Sequence, residues 1–249
     1  MLAIPFVEAA EEQTMDVEDH SVLGLTELLL KNRQKVDALA REVALQAPII
    51  PRFLGIALAS FSIFSLTLAL LLTLVATENL PEILRGAWIA NPARAIASLW
   101  LAYSVGMVAA TGICLPSFYF YGLLSGAKIT FLQVTTQIMK GKAATSLMLM
   151  GLLPIYVAYV LGMIVFQAPV RSMQPMIYVG LALPFISGLW GVRSIYRGFM
   201  QFADTLAPER RCRRGCFLRR LTLACAACYT AVTPVMIYTL WDTFSAKLL

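Results

Sequence analysis

The chain holds one histidine, His20, in its N-terminal segment. No imidazole is available elsewhere, which excludes histidine-based acid–base pairs and nucleophilic triads. Carboxylates are almost as scarce once the N-terminus is passed. Six of the fourteen acids, Glu8, Glu11, Glu12, Asp16, Glu18 and Asp19, crowd into residues 1–20. No run has metal-ligand spacing in carboxylates, and the sequence has neither a phosphate loop nor a nucleotide fingerprint. The expectation is a protein that is not an enzyme and uses no cofactor or metal. A cleavable signal peptide is not expected either, because it would need a basic start and a short apolar core where this chain is acidic.

Charge is also missing from five long apolar stretches, residues 53–77, 95–127, 143–170, 172–192 and 221–241, which contain no Asp, Glu, Lys, Arg or His. Each can supply the roughly 20 residues that a helix needs to cross a hydrocarbon core about 30 Å thick. Buried ionisable groups are what ion-coupled pumps and proton relays use, so their absence argues against a transport path.

What is present is a sorted set of cations. Before the first stretch stand five (Lys31, Arg33, Lys35, Arg41, Arg52), then two (Arg85, Arg94), three (Lys128, Lys140, Lys142), one (Arg171), eight (Arg193, Arg197, Arg210, Arg211, Arg213, Arg214, Arg219, Arg220) and one (Lys247). Sixteen of the twenty therefore fall on one side, which the positive-inside rule makes the cytoplasm. The expected fold is all-α: a polytopic membrane protein with five transmembrane helices, N-terminus inside and C-terminus outside. The net charge of +6 comes from loops beside spans, where it contacts headgroups, so nucleic acid is not an expected partner.

Three parts follow along the chain: an acidic flexible tail (1–20), a cytoplasmic amphipathic interfacial helix (21–50) and the five-helix transmembrane domain (51–249). Val22, Leu25, Leu29, Val36, Ala40, Val43 and Ala47 form one helical stripe, and Pro48 and Pro51 end it. This helix either lies along the cytoplasmic interface or packs on the cytoplasmic ends of the spans.

Within the spans, Pro116, Pro154, Pro184 and Pro234 predict helix kinks. These are either fixed bends in a packed bundle or hinges lining a path. Phe118, Tyr119, Phe120 and Tyr121 read as an aromatic cluster near the inner headgroups, and Trp88 and Trp100 as part of the outer aromatic belt. Residues 128–140 read as a short elbow helix on the cytoplasmic surface.

Two clusters carry the densest chemistry. Cys212-x3-Cys216 followed by Cys225-x2-Cys228 has the look of a four-thiolate site, but the second pair falls in an apolar helix, and small packing residues are the favoured identity. Arg210, Arg211, Arg213, Arg214, Arg219 and Arg220 either anchor topology or recognise an acidic partner or anionic lipid, the last at about 1 kcal/mol for each residue near the surface.

The stretch Leu115-Pro-Ser-Phe-Tyr-Phe-Tyr-Gly-Leu-Leu-Ser-Gly126, the Gln-bearing elbow after it and Gly151-Leu-Leu-Pro154 resemble small bacterial Yip1-like membrane proteins over residues 25–200. The resemblance implies a non-enzymatic integral protein of the bacterial inner membrane, a scaffold or accessory subunit that contacts anionic lipids and other membrane subunits or itself. The acidic Asp-Leu-Tyr-Gly-Pro signature of eukaryotic members is absent, so small-GTPase binding does not carry over. The competing expectation is a transporter or channel component whose proline-bent helices line a substrate path.

Overall fold

The computed structural model describes residues 22–31, 33–40, 42–124, 129–203 and 208–247. The acidic tail, with His20, lies outside them. Helix α1 (Val22–Lys31) and α2 (Arg33–Leu39) precede α3 (Val43–Leu74); a 3-10 turn (Thr77–Asn79) leads to α4 (Glu82–Ala90), then α5 (Pro92–Leu124), α6 (Phe131–Val165), α7 (Val170–Ala203) and α8 (Pro208–Lys247). Among the described residues there is no strand.

Helices α3, α5, α6 and α7 are long and apolar enough to cross a membrane. At 1.5 Å per residue each is about 50 Å long, so its ends reach beyond the hydrocarbon into the headgroup zones. Together with the 40-residue α8 they form a ring. α3 packs between α5 and α6, α7 lies on the far side of α6, and α8 closes the circle between α7 and α5. The interior is filled by Phe61, Phe64, Leu68, Met107, Leu149 and Leu153, with Tyr103 and Tyr156 among them. Each tyrosine hydroxyl donates to a carbonyl of α7, Tyr103 to Leu181 at 3.0 Å and Tyr156 to Met176 at 3.3 Å. In lipid, where apolar burial gives little net drive between helices, such packing and interhelical hydrogen bonds hold a bundle together.

Small residues set how closely the helices approach. A Cβ on Gly191 or Gly180 would collide with the Thr145 or Tyr156 hydroxyl of α6, and one on Gly198 would meet Gln137 Oε1 at 2.5 Å. As the numbers rise along α6 the facing numbers fall along α7, so the two run antiparallel in fixed register. Their connection ends α6 with a residue in left-handed conformation: Gln167 has φ 49°, while the Gln167 and Ala168 N–H groups bond to Ile164 O at 3.1 Å and Met163 O at 2.9 Å. That is a Schellman end with glutamine where glycine is usual, followed at once by Pro169. On the other side of the ring Gly106 of α5 packs on Ile237 of α8, and Trp88 of α4 stacks on Trp241 at 6.1 Å.

Several sequence expectations change. Residues 21–50 do not form one helix ended by prolines: α2 stops at Leu39, α3 starts at Val43, and Pro48 and Pro51 lie inside α3. Both prolines and the residues whose carbonyls they free, Ala44 and Ala47, are exposed, so the helix continues without burying an unpaired group. Pro116, Pro154, Pro184 and Pro234 lie inside helices, where the sequence places them. Trp88 is buried against Trp241 instead of facing lipid, whereas Trp100 is 37% exposed. The four aromatics at 118–121 do not cluster, because neighbours on a helix point about 100° apart. Phe118 enters the core, Tyr119 meets Phe131 edge-on at 5.4 Å, and Phe120 and Tyr121 face outward. Finally, there is no separate elbow helix at 128–140: residues from Phe131 onward belong to α6.

Candidate functional site

The early start of α6 creates the site. Thr130 caps it in a reciprocal box: its hydroxyl accepts from Gln133 N at 3.2 Å, and Gln133 Oε1 accepts from Thr130 N at 3.0 Å. Two otherwise orphaned donors are satisfied, and the helix begins well before the apolar run. Lys140 and Lys142 therefore ride on a helix packed into the bundle. They are 2% and 5% exposed.

Two residues apart on a helix, they point to different sides. Lys142 faces the ring interior, with its ammonium 5.7 Å from the Phe61 ring centroid, over the negative face of that π-system. Beside it is a cavity of about 20 Å³, lined by Thr111, Phe118, Thr145, Gly188 and Gly191, which is room for one water molecule. Thr111 and Thr145 donate to the backbone carbonyls of Met107 and Gly141 at 3.1 and 3.0 Å, and both side chains line this space. The buried thiol of Cys114 completes the surroundings.

Lys140 points toward the N-terminal helices and pairs with Asp37 of α2 at 2.5 Å. Leu25, Leu29 and Val36 pack on Ile49, Phe53, Ile56 and Ala143, which seats α1 and α2 on the ends of α3 and α6. Of the two placements open from sequence, the amphipathic segment adopts packing on the ends of the long helices. Gln46 Nε2 donates to Ala40 O at 3.2 Å and fixes the turn into α3. Next to the Lys140–Asp37 pair is a second cavity of about 40 Å³, walled by Leu29, Val36 and Ala144 on one side and by Trp190, Arg193, Ser194 and Arg197 of α7 on the other. One turn before Lys140, the fully buried Gln137 abuts Gly198 with neither amide atom hydrogen-bonded. A group of this kind costs about 1–3 kcal/mol unless water or a ligand satisfies it.

The arginine cluster stands differently. Arg220 is exposed, and the side chains of Arg210, Arg211, Arg213, Arg214 and Arg219 lie outside the described residues, as do those of Cys212, Cys216, Cys225 and Cys228. No group of three metal-binding side chains exists among the described residues. Lys140, Lys142 and Asp37 were missed as site residues because 128–140 reads as a short surface helix separate from the span that follows. The capping box at Thr130 and Gln133 was the available signal for a helix already under way.

No family model, curated protein or solved structure matches this chain.

Proposed function

We propose that the protein is a non-enzymatic integral membrane scaffold or accessory subunit, Yip1-like in architecture, with α8 as a fifth span and the end that carries α1 and α2 in the cytoplasm of a bacterial inner membrane. It acts through helix packing and contact with anionic lipid. The observation that carries this reading is the filled interior: Phe61, Phe64, Leu68, Met107, Leu149 and Leu153 occupy the middle of the ring, and the two cavities described above lie toward the α1–α2 end. A bundle packed in this way among the described residues favours contact with neighbours over an aqueous route at the bilayer centre. Large outward apolar side chains on its long helices, such as Ile63, Leu70, Ile113, Ile155 and Tyr159, are free to meet lipid or another subunit. Purification in mild detergent tests the reading: a partner subunit or second copy should remain bound in fixed proportion.

One observation favours a transporter component as the second reading. Lys142 is a buried cation beside a cavity, and ionisable groups within membrane helices mark functional sites by default. Purified protein in liposomes that moves an anionic solute, with the movement lost in Lys142→Met, would establish it in place of the scaffold.

A further inference from the structure

We propose that the cleft between α2, α6 and α7 binds a phosphate group, with Arg193 and Arg197 as its ligands and the neutral Lys140–Asp37 pair as its floor. Arg193 and Arg197 are four residues apart on α7 and line the same cavity, and neither has an ion-pair partner among the described residues. Lys140 and Asp37 neutralise one another at 2.5 Å, so the cleft carries two uncompensated positive charges.

The donor set selects phosphate over a carboxylate. Two guanidinium forks, each able to place two parallel N–H groups on an oxyanion, would use every lone pair of one carboxylate, whereas a phosphate keeps further oxygen acceptors for a third donor. Ser194, between them on the cavity wall, adds a hydroxyl. The cavity has room for roughly three waters by volume, about the bulk of one phosphate group.

Position supplies the second line of argument. The uncharged run of α7 ends at Val192, so Arg193 stands where hydrocarbon gives way to headgroups. Trp190, one turn earlier and 43% exposed, lines the same cavity, as an aromatic residue at that boundary does. Leu29, Val36 and Ala144 give the cleft an apolar wall. The shared chemistry is a phosphate oxyanion, from a lipid headgroup or from free phosphate. The inference does not depend on the scaffold reading or on the arginines at 210–220.

Native mass spectrometry of the purified full-length chain, titrated with dioleoyl phosphatidylglycerol or with dioleoylglycerol, which lacks the phosphate, tests this. The wild type should retain the phospholipid about tenfold better, and Arg193→Gln with Arg197→Gln should lose that preference. The quadruple change of Arg210, Arg211, Arg213 and Arg214 to Gln should keep it. Displacement by millimolar inorganic phosphate assigns the cleft to free phosphate, and resistance assigns it to lipid. A folded Arg193/Arg197 double variant that retains phospholipid like the wild type overturns the proposal. Should the glutamine variant not fold, Arg193→Lys with Arg197→Lys keeps the charge and removes the forks. Its preference should fall severalfold, and an unchanged preference again overturns the proposal.

Discussion

Gly191 of α7 lies so close to Thr145 of α6 that a methyl group added to the glycine would land on the threonine hydroxyl and 2.9 Å from the Gly141 carbonyl. Both residues also line the cavity beside Lys142. The missing side chain thus sets the spacing of the two helices and the size of the space that the buried cation faces.

Gly191→Ala should destabilise the protein by about 1–3 kcal/mol, because backbone as well as side chain must move to admit the methyl group. Gly188→Ala, where nothing lies within 4 Å, should instead be neutral or stabilising by up to about 1 kcal/mol from helix propensity. Thermal unfolding in detergent should show a lowered transition for Gly191→Ala and an unchanged or raised one for Gly188→Ala. Equal shifts would mean that α6 and α7 are not in this register.

Asp37→Asn removes the counter-charge of an almost fully buried lysine. Breaking a buried pair on one side costs about 3–5 kcal/mol, and the carboxylate side chain here is 25% exposed, so a loss of about 2 kcal/mol is expected. Adding Lys140→Met should recover most of it. Limited proteolysis at the α2–α3 turn reports the effect: cleavage should accelerate in the single variant and return toward wild type in the double.

Gln167→Gly should stabilise by about 0.5–1 kcal/mol, since glycine occupies positive φ without the Cβ penalty. The check is the thermal transition; a decrease would mean that the glutamine side chain contributes more than its backbone strain costs.

Topology has its own test. A reporter active only outside the cytoplasm, fused after Leu249, should be active, and the same reporter inserted near Gly215 should be silent. Activity at both positions would remove α8 as a span.

The long helices were legible because apolar length alone defines them, and four of the five stretches match helices of membrane-crossing length. Their ends were not, because charge was taken to mark loops. The Thr130–Gln133 box and the partner at Asp37 allow Lys140 to enter the bundle almost a turn before the apolar run begins. Asp37 lies 103 residues away in sequence, and no local pattern announces such a pair. Trp88 misled for a similar reason: a tryptophan near a span end reads as a belt residue until a distant ring, here Trp241, covers it. The serines of α3 gave no hint of the cross-link in which the Ser62 and Ser65 hydroxyls each lie 3.2 Å from the Ser104 hydroxyl, tying α3 to α5.

The central claim is that this ring of helices works by association. Native mass spectrometry of the tagged chain, extracted from its membrane in lipid nanodiscs without dissociating detergent, measures this directly. The account predicts a particle in which the chain is bound in fixed stoichiometry to a second copy or to another membrane subunit; a single copy accompanied by lipid alone would contradict it.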